Sequence, residues 1–329
     1  AFIDHFPVTQ PAYNTKSVPA LLKRFDWVLS EPAAPGVLFP SHQGTHDPKT
    51  VFAVSNALER LLELAANHFD ASRRDRIVVF AASDRPLSQA LGRSYKARSE
   101  TLALLRTFFE RVFYEAKDIP VQGIKTMPIG LAEFYLSRGV AANASAAIRA
   151  ACLDEKPRAA LAAWGAYWNL DNPSRQQAQL FVESPRAKLA GVDFGVQERR
   201  SWWGELSKYR FLIIPAGSRI QCVKMIEALL VLTIPIVQRG RYRWAIDPYH
   251  ESAIIAIESD LHADGVYPVH DDLVDLGFPL VVVDHWHDIT RSNLSRWWQE
   301  LSPRLVSFRR HCLTAEGYWR MIHGHPCTL

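Results

Sequence analysis

Short apolar runs and spaced apolar faces follow one another along this chain, and the alternation predicts its elements. Residues 76–82 read Arg-Ile-Val-Val-Phe-Ala-Ala, a β-branched run behind a charged turn. A run that short, apolar throughout and flanked by turn residues predicts a buried parallel strand. Residues 119–124, 159–164, 181–182, 211–214, 234–237 and 280–283 are further strand candidates, with another at Val37–Phe39 inside an otherwise irregular first fifty residues. Between them lie helical patterns. In 50–68, Val54, Leu58, Leu61, Leu62 and Ala65 fall on one face, and 99–115, 141–153 and 221–232 repeat the period. Strands alternating with helices in both halves predict an α/β protein with mainly parallel sheets. The break at Lys156-Pro157 divides it into residues 1–155 and 156–329.

Composition narrows the function classes. The 329 residues suffice for two cores, and 48% hydrophobic with 22% charged residues is an ordinary globular balance. The net charge of +4 is small, and Arg73-Arg74, Arg199-Arg200 and Arg309-Arg310 are isolated pairs, so the basic stripe of a nucleic-acid binder is missing. Four cysteines are too few for a disulfide scaffold, although Cys312 and Cys327 could pair in an oxidising compartment. Sequons stand at Asn143 and Asn293. No apolar run is long enough to span a bilayer, and no leader is visible; a membrane association would need an anchor outside these residues. Walker A, Gly-x-Gly-x-x-Gly, Gly-x-Ser-x-Gly and His-Glu-x-x-His patterns are missing, which removes the usual support for kinase, dehydrogenase, hydrolase and zincin readings.

The chemistry concentrates in 211–237. This stretch reads strand, loop, helix, strand: Pro215 ends the first strand and Gly217 permits a tight turn. Such a junction lies at the C-terminal edge of a parallel sheet, where ligands bind, and a helix N-terminus there favours phosphate. Arg219 and Lys224 add cationic charge. Glu227 interrupts the apolar run 225–232, and a buried carboxylate needs a partner. A ribose diol is one such partner; the alternative is a helix-surface pair with Lys224, three residues away.

Pro215, Gly217, Lys224, Glu227-Ala228-Leu229 and Ile234-Pro235-Ile236-Val237 stand in the order of the donor-site core of exostosin-type glycosyltransferases, glycosyltransferase family 47, which this segment resembles. The resemblance extends through Gly277-Phe278-Pro279, Asp284-His285-Trp286 and Arg296-Trp297-Trp298, and covers roughly residues 159–320. It implies a GT-B fold: two Rossmann-like domains facing a cleft, an acceptor-side N-terminal one and a C-terminal one holding the donor, with the last helices packing back on the first. It further implies an inverting transferase that moves a sugar from a nucleotide diphosphate sugar, UDP-sugar foremost, to a glycan hydroxyl. Glu227 would hold the ribose; Pro215, Gly217, Ser218, Arg219 and Lys224 would form the diphosphate loop. No cofactor and no metal are implied, and the chain has no Asp-x-Asp. The nucleotide sugar and a glycan acceptor are the implied partners, with homo- or heterodimers allowed, in a Golgi or ER lumen if the source is eukaryotic.

Two departures qualify the match. The family's arginine after the proline is Ala216 here, and 239–265 looks like an insertion. The first departure motivates the alternative of an inactive exostosin-like partner or scaffold. The acceptor base should come from the first half. Asp84, in the loop after the 76–82 run, is the candidate and Asp47 the runner-up; the alternative for Asp84 is a turn with Arg85-Pro86. His42/His46, His285/His287 and His323/His325/Cys327 lack a complete metal spacing. Among the tryptophans, helical spacing puts Trp297 in the core and Trp298 at a domain seam.

Overall fold

The computed structural model describes residues 5–10, 18–29, 47–83, 85–92, 94–133, 138–164, 173–217, 220–239, 242–246, 253–257 and 269–325. Its first half runs β1 (Val8–Gln10), β2 (Trp27–Leu29), β3 (Thr50–Val54), α1 (Leu58–His68), β4 (Ile77–Ala81), α2 (Leu87–Ala90), α3 (Tyr95–Phe108), β5 (Arg111–Tyr114), β6 (Ile124–Thr126), β7 (Leu131–Ala132) and α4 (Arg138–Ala150). The second half runs β8 (Arg158–Ala162), α5 (Pro173–Val182), α6 (Pro185–Ala190), β9 (Val192–Phe194), α7 (Trp202–Leu206), β10 (Tyr209–Ile213), α8 (Lys224–Leu230), β11 (Ile234–Gln238), β12 (Tyr242–Ile246), β13 (Ala253–Ile257), α9 (Val269–Asp275), β14 (Val281–Val283), α10 (Arg291–His311) and α11 (Ala315–Ile322). The protein is α/β with mainly parallel sheets. One five-stranded sheet has the order β2-β3-β4-β5-β6 and the other β14-β11-β10-β8-β9. Every strand pair in both is parallel.

In the first sheet side chains alternate between two cores, as a period of two requires. Val51, Ala53, Val78, Phe80 and Tyr114 pack toward α1 and α3. Phe52, Ile77, Val79 and Phe113 face a larger cluster that continues through the second sheet. Helix α11 returns to this inner face: Trp319 meets Phe25 edge-on at 5.2 Å, and Tyr318 Oη donates to Ile129 O at 2.7 Å. In the second sheet, β10 buries Phe211, Leu212 and Ile213 completely, the signature of a central parallel strand. Pro235 is tolerated in β11 because Ile236 bonds toward β10, through Ile214 N at 2.9 Å. Residue 235 therefore turns toward β14, whose ladder begins only at Ile236↔Val281. At the opposite edge Lys156 Nζ donates to Ser207 O, Tyr209 O, Val231 O and Thr233 Oγ1 at 2.8–3.0 Å, tying three strand ends together.

Several sequence expectations shift. Residues 50–54 form a strand, not the first turns of a helix: Thr-Val-Phe-Ala-Val is β-prone and wholly buried, and Asp26 Oδ2 anchors the Lys49 and Thr50 amides at 2.8 and 2.9 Å. The helix expected over 99–115 starts at Tyr95, capped by Ser94, and stops at Phe108, leaving 111–114 as β5. The strand expected at 119–124 lies at Ile124–Thr126. Phe181 and Val182 end helix α5 instead of forming a strand. The apparent insertion 239–265 contains an antiparallel hairpin, β12–β13, with β13 beside α5. Trp298 packs on β10, 6.0 Å from the Phe211 ring with Arg210 over its face, so it belongs to the second sheet and not to a seam. Cys312 is buried, and Cys327, with which it could pair, lies outside the described residues. The expected strand at Val37–Phe39, and His42 and His46, fall outside the described residues.

Candidate functional site

The order β14-β11-β10-β8-β9 places a topological switch between β8 and β10. The chain leaves β8 toward β9 on one side and leaves β10 toward β11 on the other, so the connections diverge at the strands' C-terminal ends, the place where open α/β sheets bind ligands. The residues at that edge are Ala163 after β8, Pro215-Ala216-Gly217 after β10, and the first turns of α5 and α8. Pro215 and Gly217 are buried there, Lys224 is half-buried, and Ser218 and Arg219 lie outside the described residues.

Glu227 sits in α8, whose other residues from Met225 to Leu230 are all apolar and buried. Its own exposure is 8%. Its Oε2 accepts the Trp202 indole N–H at 2.8 Å, and among the described residues Oε1 has no hydrogen-bond donor. Burial raises the carboxyl pKa above the ordinary range; the indole bond and the charges of Lys224 and Arg199 offset only part of that. The surface pair with Lys224 is not the arrangement found. Lys224 Nζ donates to Ala163 O at 2.6 Å and lies 4.9 Å from the Trp202 ring centroid. Lys224 thereby ties α8 to the end of β8, and Trp202 links its cation to the Glu227 carboxylate.

The phosphate loop differs from the expectation. The amides opening α8 are engaged: Met225 N bonds Cys222 O, while Ile226 N and Glu227 N bond Val223 O, at 2.9–3.1 Å. The Ala216 amide is held by Ser174 Oγ at 3.1 Å. A seven-residue helix with its first amides used offers little to an anion, so positive charge at this edge comes from side-chain cations. Arg175 supplies one. A Cβ built on Gly217 would come 2.9 Å from Arg175 Nη2, so the guanidinium lies directly across the Gly217 backbone. Arg175, in the first turn of α5, thus stands beside the position that Ala216 leaves bare. Sequence reading missed Arg175, Ser174 and the role of Trp202. Asn172-Pro173 marks a helix start and was the available signal for the first two; only the fold shows what that start faces.

Hydrogen bonds join the two halves nearby. Gln221, between β10 and α8, donates from Nε2 to Glu115 O at 2.7 Å and Met127 O at 2.8 Å, and its Oε1 accepts from Ile129 N at 2.9 Å. All three lie beyond the C-terminal ends of β5 and β6. Asp84 lies outside the described residues; its neighbours Ser83 and Arg85 follow β4 at the same edge, with Ser83 Oγ bonded to Asn56 at 2.8 Å. Asp47 is found at the other edge, before β3. It is ion-paired with Arg73 at 3.0 Å and closely with the fully buried Arg76. Burial alone would raise its pKa, but the hydrogen bonds from Arg76 and Arg73 outweigh this and hold it below the usual carboxylate range. A carboxylate so committed is a poor base, and it faces away from the switch point. Among the described residues no group of three or more His, Cys, Asp or Glu could hold a metal ion, and no helix is long and apolar enough to cross a membrane. Neither a protein-family model nor a curated protein matches the chain.

Proposed function

We propose that the crevice between β8 and β10 binds a nucleotide diphosphate sugar and that the protein is a GT-B-type inverting glycosyltransferase. The carrying observation is Glu227: a nearly buried carboxylate beside the switch point, hydrogen-bonded through one oxygen to Trp202 and backed by Lys224. A carboxylate that costs stability in the empty protein is repaid by a ligand that donates to it, and the ribose hydroxyls of a nucleotide are such donors. Lys224 and Arg175 supply the charge for the diphosphate leaving group. The Gln221 contacts support a cleft between the two C-terminal edges, with an acceptor entering from the first sheet. In the reaction a base on that side, Asp84 in this reading, takes the acceptor hydroxyl's proton as its oxygen bonds the anomeric carbon. The bond from that carbon to the diphosphate oxygen breaks on the opposite face.

Thermal unfolding with UDP, GDP and their sugars tests the reading, because a ligand that binds only the folded state raises the melting temperature. UDP and a UDP-sugar are expected to raise it; no rise with any nucleotide removes the proposal. One observation favours a second reading, a non-catalytic partner protein: Ala216 has no cationic side chain and its amide is already bonded to Ser174. A rise without sugar transfer to any glycan acceptor would select it.

A further inference from the structure

A cavity of about 450 Å³ lies between β5–β6, α9 and α11, beside Met127, whose carbonyl accepts from Gln221. Its body is apolar, formed by Phe113, Ile124, Met127, Leu276, Met321 and Ile322. That volume is in the range of small-molecule sites, several times a benzene-sized hole, and the two methionines can adapt to a guest. Four charged residues also line it. Lys117 and Asp272 pair with each other at 3.5 Å, and Thr126 hydrogen-bonds the same Asp272 oxygen. The remaining two, Lys125 and Asp275, are exposed and have no ion-pair or hydrogen-bond partner among the described residues. The walls therefore present an apolar interior and one unmatched charge of each sign.

We propose that this cavity is a binding site for a small zwitterion with an apolar, ring-sized body, of the kind an aromatic α-amino acid represents. The ring would lie between Phe113 and Met321, with the ligand carboxylate toward Lys125 and its ammonium toward Asp275. An anion alone would face Asp275 unmatched, and a cation alone Lys125; only a ligand bearing both charges complements both residues. The ligand would touch β5–β6 of the first half and α9 and α11 of the second, and so would fix one half against the other. This site is independent of the nucleotide reading and stands or falls separately.

Saturation-transfer NMR and calorimetry on the full chain with four probes test it: L-tryptophan, N-acetyl-L-tryptophan, tryptamine and indole. L-tryptophan is expected to bind, with each singly charged probe roughly fivefold weaker, the scale of an exposed ion pair. Leu276→Trp, which fills the cavity, should abolish binding. Lys125→Ala, a surface change that leaves the core intact, should bring tryptophan and tryptamine to equal affinity. No binding of L-tryptophan at millimolar concentration overturns the proposal. So does indole binding as tightly as tryptophan, or unchanged discrimination in Lys125→Ala.

Discussion

Asp47 and Glu227 are both carboxylates at the margin of a parallel sheet, yet their surroundings are opposite. Asp47 lies at the N-terminal edge of the first sheet, held by two arginines, one fully buried, with its pKa pushed down. Glu227 lies at the C-terminal edge of the second, nearly buried against one indole N–H, with its pKa pushed up. The first is an internal partner whose charge the fold requires. The second carries a charge that the fold only partly compensates. Proximity of a carboxylate to a sheet edge is therefore a weak functional signal; which edge, and how completely its charge is matched, is the discriminating observation.

The largest effect is expected at Asp47. Asp47→Ala leaves the buried Arg76 guanidinium with backbone carbonyls but no counter-charge and is expected to cost about 3 kcal/mol in urea unfolding. The pH dependence follows in sign. Because the folded pKa of Asp47 is lowered, its stabilisation is fully present above the ordinary aspartate value of the unfolded chain and is lost as pH falls through the folded value. The stability gap between wild type and Asp47→Asn should close in acid; a gap that widens there contradicts the assignment. Next in size is Arg175. If its guanidinium meets the diphosphate, Arg175→Ala should weaken UDP about tenfold, ~1.4 kcal/mol, and leave uridine unchanged in calorimetry. An equal loss for both would mean that Arg175 supports the loop and not the phosphate.

Glu227→Gln sharpens the other side of the comparison. Its folded pKa is raised, so the ionised carboxylate destabilises the empty protein above the unfolded value and ceases to do so below it. The glutamine variant should unfold later than wild type at neutral pH, by about 1 kcal/mol, and the difference should vanish in acid. A destabilised glutamine variant at neutral pH would show that the charge is matched after all. The smallest effect is expected at Gly217→Ala. Its new methyl meets only the flexible end of Arg175, so stability should fall by less than about 1 kcal/mol, while UDP binding weakens as the guanidinium shifts.

Much of the fold was legible because buried parallel strands are locally distinctive. The runs at 77–81, 211–213, 234–237 and 281–283 are apolar throughout, and the strands that contain them lie within two residues of the expected bounds. The errors lie where a short segment carries two meanings. Thr50–Val54 joins smoothly to the helical face of α1, and only its place between β2 and β4 makes it a strand. Phe181-Val182 is β-prone but completes the buried side of α5, where both are nearly inaccessible. For the site, Glu227 and Lys224 were legible because a charge inside an apolar run is conspicuous. Arg175 and Ser174 were not, since they reach Gly217 and Ala216 from some forty residues away. Trp202 is conspicuous in the sequence as half of the pair Trp202-Trp203, but its bond to Glu227 depends on how α7 lies against α8.

Whether Glu227 marks a nucleotide site is decided by calorimetry of UDP and uridine with wild type and Glu227→Ala. Wild type should bind both, UDP more tightly, and Glu227→Ala should lose at least about tenfold in each, because the ribose is common to them. Failure of wild type to bind either ligand, or equal affinities in wild type and variant, would contradict the account.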